Sequence, residues 1–147
     1  MTPEEISWLS KVFRKIDVFS NLSFIEMSDL IEGMEKYHYK IGDKIIQQNE
    51  KGDAFYIIYK GKVKAEVKKG WFNVVDVGQL GPEQFFGEMA LLTDEPRSAT
   101  VIAIEETDCF VLFKGQFQHL MEKSSVFQSL VYHAQEKRLF EIRKKSE

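Results

Sequence analysis

Glu88 and Arg97 are the two residues whose types and setting point most directly to ligand chemistry. Both lie in Phe85–Val101, which reads FFGEMALLTDEPRSATV. A guanidinium at Arg97 can fork onto phosphate oxygens through two parallel hydrogen bonds. Glu88 is an acceptor suited to sugar hydroxyls rather than to phosphate. Gly87, just before it, can adopt backbone angles closed to other residues. Glu88-Met89-Ala90-Leu91-Leu92 is then a run of good helix formers. Thr93-Asp94-Glu95-Pro96 ends it, because proline lacks an N–H and disfavours helical angles in the residue before it. The expected product is about one and a half turns of helix with N-terminal amides facing an anion. One anion clamp and one sugar clamp imply a phosphorylated nucleoside. Each residue alone has a plainer explanation: the helix dipole favours Glu88, and Arg97 can pair with a surface carboxylate. Their joint occurrence with Gly87 and Pro96 favours a ligand.

The elements that position this stretch follow from periodicity. Thr2-Pro3-Glu4-Glu5 signals a helix start, with Thr2 as N-cap and Glu5 closing a capping box. Ile6, Leu9, Val12, Phe13 and Ile16 recur at helical spacing. Asp17 to Leu22 is a connector, and Ser23 to Glu26 a second capping box before a helix through Met34. From Tyr37 the period becomes strand-like, punctuated by Gly42, Gly52, Gly61, Gly70, Gly78 and Gly81, which argues for a barrel, roll or sandwich. Each of these glycines is expected to allow positive φ at a turn and to contact no ligand. Two strands joined through Gly42-Asp43 are expected within Tyr39–Ile46, and another at Ala54–Tyr59. Lys62–Lys69 alternates polar and apolar and reads as an edge strand guarded by lysines. Gly70-Trp71 turns a hairpin, and Phe72 to Val77 returns. Phe85 and Phe86 read as hydrophobic props. Ser98–Ile104 and Thr107–Phe113 read as a strand pair through Glu105-Glu106. Gly115 marks the end of the roll. Gln116–Met121 begins a helix, and Phe127, Leu130, Val131, Ala134, Leu139 and Ile142 continue at helical spacing.

Composition excludes several classes. With 147 residues, 44% of them hydrophobic, the chain suits one core and one domain. A net charge of -3 gives no general attraction to nucleic acid. The single Cys109 excludes an intramolecular disulfide and reads as core filler within Cys109–Phe113. His38, His119 and His133 show no metal-ligand spacing. No apolar run of membrane-spanning length occurs and the first residues are charged throughout, so a cytoplasmic chain without membrane insertion is expected. Cleavage of a phosphodiester would need an activated water, hence paired metals or a positioned base. No His and Asp cluster supplies one, so neither catalysis nor a cofactor is expected.

At Phe86–Val101 the chain closely resembles the cyclic nucleotide-binding domain family, whose phosphate-binding cassette has the form F-G-E-[LM]-A-L, a short turn, then P-R-[ASTC]-A-T-V. The similarity extends from roughly Asp17 to Phe117. It implies an α+β, mainly β fold: an eight-stranded antiparallel, jelly-roll-like β-roll. Helices occupy residues 1–35, the roll residues 36–115 with its cassette at 86–99, and a hinge and lid residues 116–147. The implied ligand is cAMP, or cGMP. Arg97, Ser98 and the amides of Met89 and Ala90 would hold the phosphate, and Glu88 with Gly87 the ribose. Ala65, on an inward-facing hairpin strand, and Arg138, in a lid segment reading Ala134-Gln135-Glu136-Lys137-Arg138, would border the base. Thr at position 98 goes with cGMP in the family and Ala with cAMP; Ser98 leans to cAMP. The implied mechanism is a population shift that closes the lid and moves the N-terminal helices, acting on a protein effector or through self-association of the terminal helices. The alternatives are a partner-binding fragment of a larger channel, kinase or transcription regulator, or a degenerate roll that uses no nucleotide.

Overall fold

Strand pairing sorts the β-rich stretch into two four-stranded sheets, every pair antiparallel. This is seen in a computed structural model that describes residues 1–17, 19–123 and 128–129. The strands are β1 (Glu35–Tyr39), β2 (Lys44–Ile46), β3 (Ala54–Lys60), β4 (Val63–Lys69), β5 (Asn73–Leu80), β6 (Phe85–Phe86), β7 (Thr100–Ala103) and β8 (Thr107–Phe113). One sheet has the order β1-β8-β3-β6, the other β2-β7-β4-β5. Ala54, Tyr56, Ile58, Cys109 and Val111 of the first pack with Ile46, Val63 and Val101 of the second in a single core that includes Phe86. Eight antiparallel strands with flanking helices are the mainly β roll expected from the sequence.

Three features differ from expectation. β4 is not an edge: it lies between β7 and β5, and the edge strand beside it is β5, which carries no lysine. Side-chain alternation reports which face of a strand meets the core and says nothing of its lateral neighbours. β7 and β8 do not pair with each other, because Ile104 and Glu105 donate their amides to the Lys62 carbonyl at 2.9 and 3.2 Å and the chain crosses to the other sheet. Gly78 is not a turn. It lies within β5 at φ +134, where the register shifts so that Ala65 faces Gly78 and Glu66 faces Asp76 with Val77 left over, and its amide donates to the Asp76 carboxylate at 3.0 Å.

Two compact units divide the described residues: Met34–Gly115, and Met1–Gly33 together with residues from Gln116 on. In the helical unit, α1 (Pro3–Phe13) and α2 (Phe24–Glu32) both begin with the expected capping boxes. Glu5 N donates to Thr2 Oγ1 at 3.1 Å while Thr2 N donates to Glu5 Oε1 at 2.9 Å. Leu9, Val12, Phe13 and Ile16 are buried as the periodicity implies, whereas Ile6 is 43% exposed. α2 stops at Glu32, with Gly33 as its C-cap, short of the expected Met34. The third helix of this order, α3 (Met89–Leu92), belongs to the roll, and α4 (Lys114–Lys123) starts two residues before the expected Gln116, with Gly115 inside its first turn. Phe19 closes the helical core edge-on against Phe13 and Phe117, with ring centroids 4.8 and 6.2 Å apart. No helix among the described residues is long and apolar enough to cross a membrane. The expected lid segment, including Arg138, lies outside the described residues.

Candidate functional site

Arg97 is held from both its main chain and its side chain. Its amide donates to the Glu50 carbonyl and its carbonyl accepts from the Asn49 amide, each at 2.8 Å, and Lys51 bridges Pro96 beside them. The side chain turns inward and is only 7% exposed. Nη2 donates to the Ala54 carbonyl at 2.8 Å and Nη1 to the Gly87 carbonyl at 3.3 Å. Cζ stands 5.9 Å from the centroid of the Tyr56 ring, which stacks in turn on Phe86 at 4.9 Å. A cation over an aromatic face is attracted by the ring quadrupole. Burial pushes the Tyr56 hydroxyl above its ordinary pKa, with the Arg97 charge acting in the opposite direction. Among the described residues no carboxylate pairs with Arg97. Carbonyl dipoles compensate a buried cation only in part, and the guanidinium has more N–H donors than these two carbonyls use.

Gly87 brings the first half of the stretch to this cation. Its φ of +82 is the left-handed conformation that glycine tolerates, and a Cβ there would lie 2.7 Å from Arg97 Nη1. Glu88 follows with helical angles at the N-cap position of α3 and is half-buried. The Ala90 amide donates to the Gly87 carbonyl at 3.1 Å, so of the two amides expected at the phosphate it is Met89's that has no acceptor among the described residues. Ala90 and Leu91 bury the other side of the helix. The helix ends at Thr93, three residues before Pro96, where Thr93 Oγ1 donates to the Met89 carbonyl at 3.1 Å and accepts from Glu95 N at 3.3 Å. The competition of a threonine hydroxyl for backbone groups, not proline alone, therefore sets the stop. Lys114 Nζ fixes the following turn through the Thr93 carbonyl at 3.2 Å and the Asp94 carboxylate at 2.7 Å. That hydrogen bond holds the Asp94 carboxyl below its ordinary pKa.

Of the residues singled out from the sequence, Gly87, Ala90 and Arg97 are brought into direct contact. Met89 and Glu88 adjoin them on α3, and Ser98 is exposed immediately after Arg97. Ala65 pairs with Val101 and packs against the inner core that contains Tyr56 and Phe86, on the inward face expected for it. Phe86 is a buried prop, as expected, and Phe85 lies against Phe55 at 5.6 Å. Cys109 is fully buried and its thiol is pushed up to about 12 by desolvation, consistent with core filler. Three contributors went unread. Tyr56 is one of two tyrosines in an otherwise apolar run, and of the two it is the one on the inward face with Ala54 and Ile58. The Ala54 carbonyl leaves no trace in a sequence. Gly52 carries no positive φ; a Cβ there would lie 2.6 Å from Ala90 Cβ and 3.2 Å from Arg97 Cζ, so it is a close-approach position.

Two antiparallel sheets with a buried guanidinium beside a short helix define the class, a mainly β roll with flanking helices. Residues 36–124 match the family model of the cyclic nucleotide-binding domain, and the chain belongs to that family. It is 37% identical to a cAMP-dependent protein kinase regulatory subunit of Dictyostelium discoideum over 72% of this chain and 33% of that protein. It is 34% identical to the subunit of the same name from Debaryomyces hansenii over 84% of this chain and 27% of that one. The chain thus matches between about a quarter and a third of the length of these relatives. The regulatory domain of Toxoplasma gondii PKA, solved with cAMP, shares the fold at a TM-score of 0.76 and 23% identity, covering 82% of this chain and 46% of that one.

Proposed function

We propose that the domain is a non-catalytic cyclic nucleotide sensor, binding cAMP in preference to cGMP with the cyclic phosphate at Arg97. The observation that carries this reading is a guanidinium buried to 7% exposure with no carboxylate partner among the described residues. A buried charge left without its counter-ion is costly, and a monoanionic phosphate diester supplies the missing charge. The Met89 amide and the exposed Ser98 are the donors next to it, Ala90 joining where its amide is released from Gly87. Glu88 accepts from the ribose hydroxyls, with Gly87 setting its approach, and Ala65 and Arg138 border the base. That its relatives are cAMP-dependent protein kinase regulatory subunits favours cAMP. Binding acts by population shift: the ligand favours one arrangement of the helices, which a protein effector or a second copy reads in the cytoplasm.

Calorimetric titration with cAMP, cGMP and AMP tests the site. Arg97→Ala is expected to keep the fold and weaken cAMP by about 2–5 kcal/mol, the loss typical when one partner of a buried charged hydrogen bond is truncated. A change of under threefold would show that Arg97 does not hold the phosphate. Chromatography of the recovered ligand tests the absence of turnover, since accumulation of AMP would identify an enzyme.

A further inference from the structure

The β4–β5 hairpin ends in an aromatic pair that the core does not use. Lys69 and Asn73 face each other in register, and Gly70, Trp71 and Phe72 form the turn between them. Trp71 is 89% exposed, Phe72 98% and the following Val74 56%. Lys68, which faces Val74, and Lys69 are both exposed, and neither pairs with a carboxylate among the described residues. Acidic groups appear only further down the hairpin, where Glu66 faces Asp76 and Glu66 pairs with Lys64 at 2.8 Å.

The tip is held firmly. β7 stops pairing with β4 at Glu66, and beyond that point the Gln48 side chain takes over as a substitute strand. Its Oε1 accepts from Lys68 N at 2.7 Å and its Nε2 donates to the Lys68 carbonyl at 3.1 Å. The Gln48 amide is itself fixed to Thr100 Oγ1 at 3.0 Å. Two large rings are therefore presented in water on a tethered, convex turn, an arrangement that contiguous apolar exposure makes unfavourable unless something covers it.

We propose that this hairpin docks on the surface of an anionic lipid bilayer. Trp71 and Phe72 enter the boundary between headgroups and acyl chains, and Lys68 and Lys69 meet the anionic headgroups. The charge next to the rings is of one sign and complements such a surface, while Glu66 and Asp76 remain in water and limit the depth of entry. A bilayer deforms around a protruding tip of two rings, and the indole N–H stays at the polar boundary, where tryptophan is enriched. This is attachment at a surface and involves no membrane span.

Co-sedimentation of the full chain with vesicles of phosphatidylcholine alone, or with added phosphatidylserine, tests it. Binding is expected to phosphatidylserine vesicles at low salt and to weaken with salt. Trp71→Ser with Phe72→Ser is expected to lower the partition at least tenfold without changing the melting temperature, since neither ring is packed. Lys68→Ala with Lys69→Ala should lower it by about thirtyfold, roughly fivefold per lysine. In a Trp8→Phe background, the emission of Trp71 should shift to the blue on binding. Arg97→Ala should leave vesicle binding unchanged, which separates this surface from the nucleotide site. Failure to bind phosphatidylserine vesicles, or equal binding by the Trp71/Phe72 variant, would overturn the proposal. Self-association in sedimentation velocity that the Trp71/Phe72 variant abolishes would overturn it as well, assigning the tip to a second copy of the chain.

Discussion

Gly52→Ala separates crowding of the site from ordinary loss of stability. The added methyl would lie 2.6 Å from Ala90 Cβ, well inside the 3.4 Å at which ordinary contact begins, and 3.2 Å from Arg97 Cζ. Ala90 has no rotamer with which to move aside, so relief must come from displacing α3, whose Ala90 and Leu91 are buried. Overpacking of this kind costs about 1–3 kcal/mol of unfolding free energy. The same displacement moves the Met89 amide and pushes on the guanidinium. On the proposed binding mode, misalignment of these groups should weaken cAMP by roughly ten- to hundredfold, equivalent to about 1.4–2.8 kcal/mol. Gly70→Ala is the control. Its φ of +72 makes alanine strained by about 1–2 kcal/mol, but nothing lies within 4 Å of the added methyl. Denaturant titration should show both variants destabilised by similar amounts, and calorimetry should show only Gly52→Ala impaired in cAMP binding. Equal affinity in the two variants would refute the claim that Gly52 exists to let the loop meet Arg97 and α3.

Other perturbations read other parts of the molecule. Phe86→Ala should cost about 3–5 kcal/mol by denaturant titration, because it removes a buried ring stacked 4.9 Å from Tyr56. Thr2→Ala should lower stability by about 1 kcal/mol through loss of the α1 capping box. His38 lies between Asp108 at 2.6 Å and Glu106 at 2.8 Å, and these hydrogen bonds, Asp108 first, raise its pKa above the ordinary 6.5. Its contribution to stability is therefore complete below pH 6.5 and is lost as pH rises through the folded-state value. His38→Gln should flatten that part of the pH–stability curve; a wild-type curve already flat from pH 6.5 upward would show that the charged pairings contribute nothing.

The sequence was most legible where the determinants are local. Thr2-Pro3-Glu4-Glu5 and Ser23–Glu26 specify helix starts through hydrogen bonds spanning three residues, and both formed as read. The stretch from Gly87 to Arg97 likewise carries its own turn, helix and stop. What resisted reading was lateral. The alternation in Lys62–Lys69 implies two faces, but whether β4 has one neighbour or two depends on β7, more than thirty residues away. β3 and β8 are buried on both faces and so give no alternation to read. The reach of Arg97 to the Ala54 carbonyl was illegible for the same reason, since a backbone acceptor has no residue type.

The attachment of Arg97 also bears on when the site comes into being. Its side chain is bonded to a carbonyl 43 residues earlier, and its main chain to Asn49 and Glu50. Such contacts pay loop-closure entropy before they return any energy, so they belong to the later stages of folding. A chain emerging from the ribosome has no anion site until residues well past 97 have been made and the roll has closed. Any ligand bound there can stabilise only the finished roll, and adding it should slow unfolding of that unit while leaving the earliest steps of folding unchanged.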